Sequence, residues 1–162
     1  MLIREYKPED KESIERCIFE LQEDEYARQP EYWQEPQKAI DDNYFGYLLK
    51  WMKDSNGTLF VAEIDGEVAG YVAIAIDEGK DSNPSSPCIA MKRMGYIPDI
   101  VVLREYHKQG VGKELLKKAE EYTKANGCEY ISLDITAGNP ALDFYYKQGY
   151  KDYSRNLKKK IG

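Results

Sequence analysis

Asp99-Ile-Val-Val-Leu-Arg-Glu-Tyr-His-Lys-Gln-Gly-Val-Gly112 is the stretch on which the reading of this chain turns. Ile100-Val101-Val102-Leu103 is a short apolar run bounded by charge, and it reads as a buried strand. A polar turn follows, and Gln109-Gly110-Val111-Gly112 opens a helix. Val111, Leu115, Leu116, Ala119 and Tyr122 recur on one face, with Lys113, Lys117, Lys118 and Glu121 largely off it. Gly127, after Asn126, stands where a left-handed stop is expected. Strand, glycine turn and helix N-terminus in that order make an anion site out of backbone. The first N–H groups of a helix lack internal partners, and the helix dipole adds about half a positive charge there. Glycine lets a ligand approach the chain closely.

Two common phosphate signatures fail on these residues. A nucleoside-triphosphate loop needs Gly-x-x-x-x-Gly-Lys-Ser/Thr, but Gly112-Lys113 is followed by Glu114 and the first glycine position holds His107. A dinucleotide fingerprint wants a third glycine where Leu115 stands, early in a long βαβαβ domain, and only 50 residues follow Gly112.

Working outward, Leu2–Tyr6 is a strand candidate and Pro8-Glu9-Asp10 a helix start. Ile14, Ile18, Leu21 and Glu25 share a helix face that ends at Gln29-Pro30. A second helix is expected from Gln37 to Lys53, on the period of Ile40, Tyr44, Tyr47, Leu48, Trp51 and Met52. Thr58–Ile64 and Glu67–Ile76 flank Asp65-Gly66 and predict a hairpin. Asp77–Pro87 reads as a long exposed loop, and strand-like residues resume at Ile89 and run to Leu103 with a break at Pro98. Glu129–Thr136 alternates as a strand, Asn139–Gln148 reads as a short helix, and Tyr150–Ile161 as a closing strand. The order predicts one α/β (α+β) domain over residues 1–162, a mixed twisted sheet of about six to seven strands flanked by about four helices.

A chain of 162 residues buries about 70% of its unfolded surface as one domain. The net charge of −6 argues against non-specific nucleic-acid binding and suits an amine-bearing partner. Lys158-Lys159-Lys160 reads as a solvated strand end. Cys17, Cys88 and Cys128 fit no zinc spacing or disulfide framework, so a reducing cytoplasm is expected. No signal peptide is read at the N-terminus, and the nine-residue apolar run Val68–Ile76 is too short to span a bilayer. No metal, nucleic acid or membrane partner is expected.

Over Tyr96–Tyr150 the chain resembles the GNAT-type N-acetyltransferases. Their signature Gln/Arg-x-x-Gly-x-Gly/Ala is matched by His107-Lys108-Gln109-Gly110-Val111-Gly112, with histidine in place of the usual first residue. A later family segment is matched by Asn139-Pro-Ala-Leu-Asp-Phe-Tyr-Tyr-Lys-Gln-Gly-Tyr150, where Asn139 stands one residue nearer to Tyr145 than in the commonest spacing. The resemblance implies that the turn amides, from His107 through Lys113, hold the pyrophosphate of acetyl coenzyme A (acetyl-CoA). It also implies that Asn139 contacts the cofactor and that Tyr145, four residues before the Gly149-Tyr150 pair, protonates the departing thiolate. Tyr146 is a rival for that role, because neighbours on a helix differ by about 100° and only one can face the sulfur.

Acyl transfer to an amine needs a bound thioester, a neutral nucleophile, a stabilised oxyanion and a protonated leaving group. The edge Val101-Val102-Leu103 is expected to bind the pantetheine amides, with the Val102 N–H as oxyanion donor. An aliphatic ammonium has a pKa near ~10.4, so a base is needed, and Asp99 is the candidate. No cysteine has a nucleophile's surroundings such as a nearby histidine, which favours direct transfer. His107, the one histidine, reads as a solvent-facing or phosphate-edge residue. Acceptor specificity is expected in the N-terminal helices and the Asp77–Pro87 loop. There Tyr26, Tyr32, Trp33, Tyr44 and Trp51 could line a cation wall with Glu23, Asp24 and Glu25, although aromatics at helical spacing are usually core. A small amine, an aminoglycoside-like molecule, a polyamine and a protein amine all stay open as acceptors, and so does a homodimer. The alternatives are a non-catalytic acyl-CoA sensor and an interaction module on the same fold.

Overall fold

The computed structural model describes residues 1–79 and 92–162, and its sheet grows from the hairpin that Asp65-Gly66 predicts. Both turn residues have positive φ, 52° and 87°, as a two-residue turn matched to strand twist requires. The hairpin joins β2 (Thr58–Ile64) to β3 (Glu67–Asp77), and β1 (Leu2–Glu5) adds antiparallel to β2. On its other edge β3 pairs antiparallel with β4 (Met94–Ile97) and, further along, with β5 (Ile100–Val102). β6 (Tyr130–Leu133) runs parallel to β4, so among the described residues the sheet has six strands in the order β1-β2-β3-β4-β6, with β5 beside β3.

Alternation assigns the faces. Val61, Tyr71, Ala73, Val101 and Leu103 pack with Ile14, Ile18, Phe45 and Leu48 under α1 (Lys11–Arg28) and α3 (Tyr44–Asp54). Phe60, Ala62, Val72, Ile74 and Ile97 pack with Val111, Leu115, Leu116, Ala119 and Tyr145 of α4 (Val111–Ala125) and α5 (Leu142–Lys147). A further short helix, α2 (Pro36–Asp41), lies between α1 and α3 in the chain. Among the described residues, five α-helices therefore flank the sheet.

Register reveals a bulge. Val72 opposes Ile100 and Ala75 opposes Tyr96, so Ala73 and Ile74 of β3 face three residues, Ile97, Pro98 and Asp99. The extra residue reverses the alternation, which puts Tyr96 and Asp99 on the same face of the sheet. It also ends the β4–β6 pairing at Ile97 and Leu133, and β5 continues without β6 beside it. A wedge opens there.

Three expectations are corrected. The helix predicted over Gln37–Lys53 is two helices, α2 and α3. Asn43 between them is left-handed at φ 56°, and its side-chain oxygen accepts the Gly46 N–H to cap α3. The apolar period runs on across this break, so periodicity alone merges the two. The helix read over Asn139–Gln148 is reduced to α5, because Asn139 is spent on a turn before it. No strand forms over Tyr150–Ile161. Tyr153, Leu157 and Ile161 come four residues apart, with charge between them, and are 83%, 91% and 83% exposed. Lys158 is thus not a strand end; its Nζ lies 4.5 Å from the centroid of the Tyr32 ring. Cys88, the start of the strand run at Ile89 and most of the Asp77–Pro87 loop lie outside the described residues.

Candidate active site

The wedge exposes one edge of β5. Leu103 N–H donates to the Ala69 carbonyl and Ala73 N–H to the Asp99 carbonyl. In an antiparallel ladder the residues between such pairs point the other way. Val101 and Leu103 therefore spend their backbone groups on β3, and Ile100 and Val102 turn theirs toward the wedge. Of the three residues expected to offer an edge, the structure puts Val102 alone on it, joined by Ile100. The outward position is visible in a contact, since His107 Nε2 lies 2.8 Å from the Val102 carbonyl oxygen.

A 3-10 turn over Arg104–Tyr106 leads from β5 to the glycine turn. Lys108 is left-handed at φ 62°, as is Gly110 at φ 84°, and α4 begins directly after it. A Cβ at Gly110 would meet nothing within 4 Å, so the space in front of the turn is open. At Gly112 a Cβ would sit 3.7 Å from Val102 Cγ2 and 3.7 Å from Phe144, which places Gly112 at the throat between β5 and α5. Gln109 donates to the Glu105 carbonyl, and the Lys113 side chain is exposed beside the first turn of α4. Arg104 binds Glu23 and Asp24 at 2.9 Å each, and its N–H donates to Glu20. α1 is thereby fastened to the start of the turn.

Asp99 is buried at the bulge. Its Oδ2 accepts the Tyr71 hydroxyl at 2.8 Å and the Tyr44 hydroxyl at 2.9 Å. Burial pushes the Asp99 carboxyl above the usual carboxylate range, and the two phenolic donors oppose that. Tyr96, on the same face, donates to Asp134 at 2.9 Å across the mouth of the wedge. Sequence reading missed this pair, because Asp134 is one of several strand-end acids until the β4–β6 register sets it beside Tyr96.

On the opposite wall Tyr145 is buried among Val111, Leu115 and Ile97, with its ring edge-on to Phe144 and Tyr150. Among the described residues its hydroxyl has no hydrogen-bond partner. Burial first, and the charge of Glu25 second, push it up to about 12. Tyr146 is exposed and donates to Asp152 at 2.7 Å, so the rivals face opposite ways. Asn139 is engaged at both ends of its amide. Nδ2 donates to Glu25 at 3.0 Å, and Oδ1 accepts the Ala141 N–H at 2.9 Å.

Glu25 is a buried junction rather than part of a cation wall. It accepts from Thr136 at 2.7 Å, from Asn139 and from Arg28 at 2.6 Å, and so ties α1 to the loop between β6 and α5. Glu23 and Asp24 pair with Arg104 at the surface, so of the two readings the sequence left open for these acids the solvated one fits. The aromatics do gather in part, with Tyr44, Tyr47, Trp51 and Tyr96 in an unbroken series of ring contacts between 5.8 and 6.4 Å. Tyr32 and Trp33 contact each other separately, and Tyr26 joins neither group. Cys17 lies in the core with its thiol pushed up to about 12 by burial, which leaves it no nucleophile.

Comparison with known proteins bears on this arrangement. The profile of the acetyltransferase (GNAT) family matches residues 17–150. A protein named N-alpha-acetyltransferase from Sulfurisphaera tokodaii is 32% identical over 117 residues, 70% of this chain and 69% of that one. A solved putative acetyl transferase from Pyrococcus furiosus superposes with a TM-score of 0.74 at 26% identity, covering 99% of each chain. An aminoglycoside N-acetyltransferase solved in complex with CoA has the same fold, with a TM-score of 0.65 at 16% identity over 99% of each chain. Among the described residues no helix is long and apolar enough to cross a membrane.

Proposed function

As a member of the acetyltransferase (GNAT) family this chain is an acetyl-CoA-dependent N-acetyltransferase, and we propose that it holds acetyl-CoA along the wedge between β5 and α5 and transfers the acetyl group directly to an amine. The open edge at Val102 carries this reading. Here a strand turns backbone N–H and C=O groups away from its neighbour β3, toward a glycine turn and a helix N-terminus, with the Val102 carbonyl met only by the His107 ring among the described residues. Pantetheine is a chain of amides, and its pyrophosphate suits the first amides of α4, Gly110 to Lys113. The outward N–H of Val102, with that of Ile100, supplies the oxyanion donor.

Asp99 takes the acceptor's proton, since burial keeps its carboxyl basic for an aspartate. Tyr145 returns a proton to the thiolate: its hydroxyl has no hydrogen-bond partner among the described residues and stays protonated over the whole assay range. Asn139 serves the site through Glu25 and the α5 turn that carries Tyr145. Direct transfer is supported by Cys17 being inert. The free thiols Cys17 and Cys128 suit a reducing cytoplasm. The name of the archaeal relative makes peptide α-amines the first acceptors to assay; these carry a pKa of about 7.7–8.0, nearer neutrality than a lysine.

The test is calorimetric titration with acetyl-CoA of the wild type and of Gly112→Asp. The backbone at Gly112 is helical and a Cβ meets only ordinary contacts, so the variant folds, and an acid in the first turn of α4 is favourable to the helix. Its carboxylate should repel pyrophosphate and abolish binding. Equal affinity in the two proteins would remove the cofactor from this turn.

A further inference from the structure

Asp99 presents a difficulty for any acceptor. It is only 8% exposed, and Tyr71, one of its two hydrogen-bond donors, is completely buried. The other donor is different. Tyr44 stands at the first position of α3 and is only partly buried, at the head of the aromatic series that runs through Tyr47 and Trp51 to Tyr96 at the mouth of the wedge. Its hydroxyl lies 3.1 and 2.9 Å from the two carboxylate oxygens of Asp99.

We propose that Tyr44 is a catalytic proton relay, carrying a proton from the acceptor ammonium to Asp99. This rests on the reading of Asp99 as the base. The acceptor N–H bond breaks as its proton passes to Tyr44 Oη, while the proton already on Oη passes to Asp99. Tyr44 ends neutral as it began, Asp99 becomes a carboxylic acid, and the acceptor becomes a neutral amine with a lone pair for the thioester carbon. No phenolate forms, which matters because burial and the neighbouring Asp99 charge hold the Tyr44 hydroxyl far above its ordinary pKa. A hydroxyl that cannot ionise can still pass a proton when it accepts one and gives one together.

The titratable groups facing Asp99 are Tyr44 from α3, Tyr71 from β3 and Tyr96 from β4, with Cys17 of α1 behind Tyr71. Both Tyr44 and Tyr71 hold the Asp99 carboxyl down by donating to it, so losing either hydroxyl raises it further. Only Tyr44 also touches the aromatic series that leads away from Asp99.

The experiment compares kcat as a function of pH in the wild type and in Tyr44→Phe, Tyr71→Phe and Asp99→Asn. The acceptor probe is a peptide with a free seryl amino terminus, with spermidine and kanamycin as the second and third probes. Calorimetry with CoA confirms that each variant keeps its cofactor site. Both tyrosine variants should move the acidic limb to higher pH. Tyr44→Phe should also lower the plateau about 100-fold, as loss of an acid–base group does, and adding Asp99→Asn to it should cost little more. Tyr71→Phe should lose far less of the plateau. A Tyr44→Phe plateau within about threefold of the wild type, beside an inactive Asp99→Asn, would overturn the relay and leave Asp99 as the base. Wild-type rates and an unmoved limb in Asp99→Asn would instead overturn the reading of Asp99. A wild type that binds CoA but acetylates none of the probes overturns an acceptor site for free amines beside Tyr44.

Discussion

The imidazole of His107 folds back so that its Nε2 lies 2.8 Å from the carbonyl oxygen of Val102, five residues earlier on the open edge of β5. That carbonyl is the group a pantetheine amide needs, so the ring and the cofactor compete for it. His107→Ala should therefore lower the KM for acetyl-CoA by about fivefold, the worth of one net hydrogen bond. A KM that rises would mean that the ring contacts the cofactor instead of standing in its way.

Tyr145 and Tyr146 are adjacent in sequence and opposite in surroundings. Tyr145→Phe should reduce kcat by about 100-fold or more while the affinity for acetyl-CoA stays within a factor of two or so. Tyr146→Phe removes only the surface bond to Asp152 and should alter neither. The Tyr145 hydroxyl is pushed up to about 12, so it remains an acid throughout, and no fall of kcat below about pH 10 should trace to it. The reverse ranking of the two variants would reassign the acid.

Much of this was legible in the sequence because it is local. The strand–turn–helix from Ile100 to Ala125 and the Asp65-Gly66 hairpin are written in neighbouring residues, whose backbone preferences the fold merely keeps. The bulge is not local. Pro98 marks a break, but only the pairing with β3 shows that three residues face two there and that Tyr96 and Asp99 come to one face. Glu25 was hidden for a related reason. On α1 it looks like the ragged end of an apolar stripe, and its partners Thr136 and Asn139 lie more than 100 residues away. The tail after Tyr150 misled in the other direction, since β-prone residues without strict alternation formed no strand.

Arg4 grips Asp10 with two nitrogens, at 2.7 and 2.8 Å, and reaches Glu63 at 2.8 Å, which ties β1 to the start of α1 and to β2. The Arg4 bonds, helped by the Lys7 N–H against the cost of burial, hold the Asp10 carboxyl below the usual carboxylate range. A lowered pKa in the folded state means stability that is present at neutral pH and lost as pH falls below about 4. Arg4→Met should cost about 3 kcal/mol at pH 7, because it leaves a buried carboxylate without its partner. Urea denaturation at pH 7 and pH 3 should show this difference shrinking in acid. Parallel losses at both pH values would show that the arginine stem, not its charge, is what matters.

Asp99 obliges the opposite sign. Burial raises its carboxyl, so its contribution to stability is fully present below the ordinary carboxylate value and is lost as pH rises through the raised one. As the proposed base Asp99 is ionised when it acts, and the fold then carries a buried negative charge that, among the described residues, two phenolic hydrogen bonds compensate. Asparagine has the same shape, keeps an oxygen for Tyr71 and loses the charge. Asp99→Asn should melt about 2–4 °C above the wild type at pH 7, corresponding to roughly 1 kcal/mol, while its turnover falls. The gain should shrink on going to pH 4, as the wild-type carboxyl takes up its proton. Such a residue is kept for its chemistry at the expense of the fold. Scanning calorimetry of the two proteins at both pH values decides it. A variant that melts lower than the wild type at pH 7 would make Asp99 a structural anchor for Tyr44 and Tyr71 and take away the reason to regard it as a base.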